Sequence, residues 1–391
     1  MKLFLKIPII CLLWLFAVVG CDSTPAQKTI LSTVPVTPTA PSADMFPVKS
    51  AYPAAQLPKL FGVIDDDADP DPAVHYNVMV PLSWVQLKQP WQPLTVEHPR
   101  QLQLHMRART GPLAELKVIL VRTAEETSPS DVLLTSLAKH QERVLRQRFS
   151  PQPGGAIPDV LTIRGAAGQE QISRWTVLKN TTPTTGGACF FMVCMTTAAR
   201  DYNAEMANAF YLATNKFNVL HPTAWPYAEQ LRTLVRGVPA RFSTVFPLSW
   251  QQQENPLSDA HFYQVQLTKH YAGRQIARIS LMVVANQNSS DMDKLEQEAR
   301  EAHAQQGLAF EPSTFESAPN FGGLHNVQVA IGQQTNAGND LRQERHVVRG
   351  QAGPYWLYAE SIHFTREAAP DEWAISKRAF DIVQEHLVVK P

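Results

Sequence analysis

The chain has 391 residues, 44% of them hydrophobic and 18% charged, which is enough material for two domains with cores of their own. Its 35 basic side chains balance 35 acidic ones, so no whole-chain charge argues for nucleic acid or an acidic partner. The 30 prolines are unevenly spread and mark linkers.

The N-terminus, "MKLFLKIPIICLLWLFAVVGCDSTP", carries two lysines, then an apolar run from Ile7 to Val19, then Gly-Cys-Asp. A membrane span needs about 20 apolar residues, so this shorter run reads as the core of an export signal over residues 1–20. "VVGC" resembles a bacterial lipobox, in which Cys21 receives the lipid and becomes the new N-terminus. Several acyl chains together anchor a protein stably, at about 0.8 kcal/mol per buried methylene. Asp22, directly after it, resembles the signal that retains a lipoprotein in the inner membrane. That resemblance implies a periplasm-facing protein held by its lipid, with the outer membrane as the alternative.

Residues 21–72 show little periodicity and many prolines, which predicts an extended tether. Within it, Asp65, Asp66, Asp67, Asp69 and Asp71 crowd together. The calcium-loop pattern would need a glutamate where Tyr76 stands, so a solvated acidic turn is expected and no metal.

PLSW then occurs twice, at Pro81 to Trp84 and at Pro247 to Trp250, an offset of 166 residues. The same offset lays "ACFFMVCMTT" (from Ala188) on "PYWLYAESIH" (from Pro354), both strand-like runs after a glycine. "AELKVILV" (from Ala114) matches "ARISLMVV" (from Ala277) with a shift of three. Each inner strand precedes a serine-aspartate helix start. The first helix is expected to present Leu133, Leu137, His140 and Val144, the second Met292, Leu295, Ala299 and Ala302, with Gly307 as its cap. Closing helices place Met206, Phe210, Ala213 and Phe217 on one face, and Trp373, Phe380, Val383 and Leu387 on the other copy's, with Pro370 in its first turn.

The chain therefore reads as α+β: two similar domains, residues 73–222 and 239–391, joined by a linker over 223–238, each an antiparallel sheet with helices packed on one face. Trp84 and Trp250 are expected to cap the two cores. Strands running into Pro-x-x-Trp, and an aromatic strand followed by an amphipathic helix, resemble the PsbP-like superfamily, including the DcrB lipoproteins and the Eag chaperones of type VI secretion. The lipobox agrees with DcrB and departs from the cytoplasmic Eag chaperones. The resemblance implies binding and assembly, with no shared catalytic residues.

No nucleophile elbow, zinc-protease motif, Walker loop or Cys-x-x-Cys is present. Glu298, Glu301 and His303 read as a solvated helix face, and "RGAAGQE" from Arg164 as a hairpin turn. Cys189 and Cys194, five apart on a strand, point to opposite faces and are expected to be unbridged, buried apolar groups at the edge of the first sheet. The expectation is a non-enzyme without cofactor that joins the membrane through its lipid and binds a protein or peptide, but no nucleic acid. A small-ligand binder with a cleft between the copies, and a hydrolase of unrecognised type, are the alternatives.

Overall fold

The structure, a computed structural model, describes residues 45–88, 100–152, 154–182, 186–285, 291–336 and 341–390. A one-turn helix, α1 (Leu57–Leu60), leads into β1 (Phe61–Asp66) and β2 (Tyr76–Pro81). Then follow β3 (Trp84–Gln86), β4 (Arg100–Ala108), β5 (Ala114–Thr123), α2 (Pro129–Lys139), β6 (Arg143–Ser150), β7 (Ile157–Arg164), β8 (Gln171–Thr181), β9 (Ala188–Ala198), α3 (Ala204–Asn215) and β10 (Asn218–Val219). The second half repeats the series: β11 (Leu231–Arg236), β12 (Arg241–Pro247), β13 (Gln251–Glu254), β14 (Phe262–Tyr271), β15 (Arg274–Ala285) and α4 (Asp291–Gln305). It closes with β16 (Glu316–Ser317), β17 (His325–Gln333), β18 (Gln343–Ala352), β19 (Tyr355–Phe364), α5 (Pro370–Glu385) and β20 (Val388–Lys390).

Each half forms a seven-stranded antiparallel sheet, β3-β4-β5-β9-β8-β7-β6 and β13-β14-β15-β19-β18-β17-β16, and a three-stranded one, β1-β2-β10 and β11-β12-β20. The two orders are the same, strand for strand. Register agrees as well: Ala114 lies opposite Thr197 and Ala277 opposite His363, the residues that the repeated sequences superpose. PLSW recurs because it carries the chain from the small sheet to the large one. Pro81 and Pro247 end their strands opposite Phe61 and Leu231, and each tryptophan packs on its domain's core. The fold is thus α+β with two similar domains.

The helices, however, cover both faces of each sheet. In β9, Cys189, Phe191, Val193 and Met195 share a core with Phe210 and Ala213 of α3. The alternate residues Ala188, Phe190, Met192 and Cys194 share one with Leu133 and Leu137 of α2. A strand buried on both faces has no polar side, which is why this stretch is a continuous apolar run. Each such large side chain contributes about 1.5–3 kcal/mol on burial. β9 is the central strand of its sheet, so the two cysteines are free and buried as expected but lie in the middle and not at an edge.

The first strand of each domain falls where a connector is expected. β1 lies inside the expected tether and pairs with β2, and β11 lies inside the expected linker and pairs with β12. Residues 45–52 also dock: Tyr202 Oη donates to the Met45 carbonyl at 2.6 Å, and the Ala51 amide to Asn208 Oδ1 at 2.8 Å. Both strands are short and half exposed, so they lack the apolar alternation that would reveal them. Asp65 and Asp66 belong to β1, and Asp71 caps a short 3-10 turn while pairing with Arg122 at 3.4 Å.

Helix α2 starts where Ser128 Oγ accepts the Asp131 amide and stops earlier than expected. Gln141 turns at φ 54°, and the Glu142 amide returns to the Leu137 carbonyl at 2.9 Å, so Val144 belongs to β6. Gly307 does end the second-domain helix, at φ 83°. The segment from Arg164 is the β7–β8 turn.

The two domains meet through α2 and α5, giving a stack in the order α3, first sheet, α2, α5, second sheet, α4. Thr135 Oγ1 donates to the Pro370 carbonyl at 3.4 Å, and Lys139 pairs with Asp371 at 2.9 Å.

Candidate functional site

Cys21 and Asp22 lie outside the described residues. Among the described residues no helix is long and apolar enough to cross a membrane.

Where the domains meet, a cleft of about 730 Å³ opens. Val132 and Phe190 from the first domain and Ala374 and Ile375 from the second supply apolar wall, while Arg100, Arg122 and Lys139 line it with cations and Glu125 and Asp371 with carboxylates. Thr127 Oγ1 and Arg122 Nε, both buried atoms, have no hydrogen-bond partner there. Behind the cleft, Glu126 is buried and accepts hydrogen bonds from Lys179 Nζ at 2.7 Å, the Ala228 amide at 2.5 Å and Arg378 Nε at 3.3 Å. Burial pulls the Lys179 ammonium below its ordinary value, and the neighbouring glutamate opposes that. Burial also pushes the Asp131 carboxyl up, against the pull of Lys377. These charges fasten one domain to the other. Removing one partner would leave the other buried and uncompensated.

A second polar cluster sits between α4 and its sheet. Arg345 donates to Glu296 at 2.7 and 2.8 Å and to Glu360 at 2.8 Å. Tyr358 Oη donates to Glu296 at 2.5 Å, and His303 Nε2 lies 2.7 Å from Glu360. Burial works to raise the Glu360 carboxyl, but hydrogen bonds from His303 and Arg345 outweigh it and hold the group down at about 2. Glu296 is likewise lowered, its burial outweighed by Arg345. His303 is therefore a buried partner of Glu360 and not part of a solvated face; Glu298 and Glu301 are the exposed ones. Met292, Leu295 and Ala299 face inward as expected, but Glu296 and His303 share that face with them and Ala302 is exposed. Spacing that counts only apolar residues cannot find such a stripe.

On the opposite face of the second sheet, Glu344 and His346 are two apart on β18, and His363 of β19 stands directly across from Glu344. His346 Nε2 lies 2.9 Å and His363 Nδ1 3.7 Å from Glu344 Oε1. One donor atom from each residue lies within 4.8 Å of the others. Trp373 Nε1, on α5, donates to the same Glu344 oxygen at 2.9 Å. Burial holds the His363 imidazole down at about 4, with the charge of His346 adding to the effect, so it is neutral at pH 7. Neither histidine belongs to a motif that the sequence shows. The missing signal is strand register, which brings Glu344 and His363 together across a hairpin.

The cysteines add no reactive centre. Burial pushes the Cys189 thiol up to about 11 and the Cys194 thiol up to about 12, so both stay protonated at neutral pH.

No family model and no curated protein sequence matches the chain. Among solved structures, LpqN, involved in cell envelope biogenesis of Mycobacterium tuberculosis, is 11% identical, covering 43% of this chain and 96% of LpqN at a TM-score of 0.29. The type VI secretion immunity protein TplEi of Pseudomonas aeruginosa is 11% identical, covering 81% of this chain and 95% of that one at a TM-score of 0.22. A Tle4–Tli4 complex structure matches with the same identity, coverage and score. At these scores the likenesses carry no argument about function.

Proposed function

We propose that the chain is a lipid-anchored envelope protein, held at the periplasmic face of the inner membrane through Cys21 with Asp22 as the retention signal, whose two domains form a non-catalytic module for binding another protein or peptide. The observation that carries the binding role is the open edge of the first sheet. Among the described residues β6 pairs only with β7, leaving an eight-residue strand with one free ladder of backbone donors and acceptors. Arg143 and Arg146 are exposed on it, beside the exposed Val144 and Phe149. Cations on an edge discourage a second copy of the same strand and favour an acidic, extended segment. In the second domain the corresponding strand, β16, has two residues. The resemblance to PsbP-like and DcrB-like proteins supports the same reading.

A photo-crosslinking residue at position 147 in the membrane-bound protein should give a discrete adduct that Arg146→Glu weakens, while the same residue at exposed Leu257 gives none. Equal adducts from both positions, or none from 147, would overturn the edge as the binding surface. For the anchor, a palmitate analogue should label the wild type and not Cys21→Ala. Equal labelling of the two, or none, would end the lipoprotein reading.

The cleft between the domains favours one second reading, a periplasmic binder of a small anionic ligand with an apolar body. A thermal-shift screen of amphipathic anions would support it by a stabilisation that Lys139→Ala reduces.

A further inference from the structure

We propose that Glu344, His346 and His363 form a binding site for a divalent transition-metal ion of the zinc type. The donor set is two imidazoles and one carboxylate, which suits Zn²⁺ and its neighbours in the first transition row and not Ca²⁺ or Mg²⁺, which take oxygen ligands. The three residues come from two adjacent antiparallel strands, with Glu344 and His363 paired across the ladder and His346 on the same face two residues along. That placement depends on backbone hydrogen bonds and not on flexible loops, so the donors are held together before any ion arrives.

The spacing fits. A tetrahedral ion with bonds of about 2.0–2.1 Å sets its ligand atoms roughly 3.3 Å apart. His346 Nε2 lies 2.9 Å from Glu344 Oε1, the imidazole rings lie 5.0 Å apart between centroids, and one donor atom of each residue lies within 4.8 Å of the others; with His363 Nδ1–H given to the Phe364 carbonyl, its Nε2 is the nitrogen left for an ion.

Unmet polar atoms give the independent sign of a ligand. His363 is 1% exposed, its Nδ1 lies 2.9 Å from the Phe364 carbonyl, and its Nε2 has no partner. Ser361, two residues earlier on the same face and directly opposite His346, is fully buried and its Oγ is also without a partner. A buried polar atom left alone costs about 1–3 kcal/mol, so two of them together beside a carboxylate and a second imidazole point to a ligand held there. His346 and Glu344 remain partly exposed, which provides the route in.

The surroundings also match a metal site. Trp373 Nε1 fixes one Glu344 oxygen, as outer-shell donors do for ligating carboxylates. Lys377, whose charge also acts on His363, is committed to Asp381 at 2.6 Å and lies 3.9 Å from Asp131. Because Trp373 is in the first turns of α5, whose Asp371, Ala374 and Ile375 line the cleft, an ion here would tie that helix to the sheet beside the junction of the domains.

The test is a Zn²⁺ titration by calorimetry of the full chain in detergent, purified without a histidine tag and stripped with chelator. We expect close to one ion per chain, a rise in thermal stability on loading, and at least ~10-fold weaker binding in His363→Gln and in His346→Ala. Trp373→Phe should weaken binding less. His346→Ala alters a partly exposed residue, so it remains informative if His363→Gln fails to fold. Co²⁺ loading should give weak visible bands without the intense near-ultraviolet absorption of thiolate ligation. No stoichiometric uptake by the wild type, affinity unchanged in either histidine variant that folds, or a Co²⁺–thiolate band would each overturn the proposal.

Discussion

The two domains share every strand, yet they fill the space under their inner helices with opposite chemistry. Beneath α2 lie Trp175, Val177, Phe190, Met192 and Cys194, meeting Leu133 and Leu137. Beneath α4 lie Arg345, Tyr358 and Glu360, meeting Glu296 and His303. By the repeat offset, Met192 and Cys194 of the first domain correspond to Tyr358 and Glu360 of the second. The topology requires a filled, satisfied layer there, and either packed hydrocarbon or a closed ion-pair network provides it. The ionic layer carries a desolvation cost that only its full set of partners offsets, so it is the more fragile of the two.

Removing one member of the network should give the largest effect. Arg345→Met leaves Glu296 and Glu360 buried without their cation and should destabilise the second domain by about 3–5 kcal/mol in denaturant unfolding. A loss under about 1 kcal/mol would mean that the layer is wet and the contrast with the first domain is false. Replacing the whole set together, Arg345 by Met, Glu296, Glu360 and His303 by Leu and Tyr358 by Phe, should recover most of that loss, as an apolar layer does in the other copy.

Next comes Leu137→Ala under α2, which opens a cavity in packed hydrocarbon and should cost the first domain about 2–5 kcal/mol. This loss should be the same at pH 3 and pH 7.

Acid should separate the domains somewhat more gently. Glu360 is held at about 2 in the folded chain against an ordinary 4.5, so its contribution is complete above about pH 4.5 and fades as the pH falls toward 2. Up to about 3 kcal/mol is at stake in the second domain. Unfolding followed separately in the two domains from pH 6 to pH 2 should show this fall in the second, and its absence there would contradict the charge network.

The smallest effect is expected at the junction's rim. Lys139 and Asp371 are 41% and 63% exposed, and Lys139→Ala should change stability by no more than about 0.5 kcal/mol, less at high salt. A larger loss would show that the domains depend on this pair.

Much of the fold is legible because matched elements recur at nearly one offset: PLSW, the strand pair Ala114/Ala277 and the closing helices all fall where the repeat places them. What escapes is short, exposed or polar. β1 and β11 are edge strands without strong alternation, and they read as connectors until their partners β2 and β12 are seen. The inner stripe of α4 escapes because Glu296 and His303 look like surface residues. The Glu344, His346 and His363 cluster escapes because one member comes from a neighbouring strand.

The sequence by itself determined the α+β class, the duplication, the apolar runs that become central strands, and the separation of Cys189 from Cys194, since these follow from side-chain period and backbone reach. Only the tertiary structure decided that helices cover both faces of each sheet, that α2 and α5 join the domains, and that charges in the second domain are buried together. Period tells which residues share a face of their own element. Which element covers that face, and whether a charge there meets its counterion, depends on contacts between residues far apart in the chain, and local spacing does not encode them.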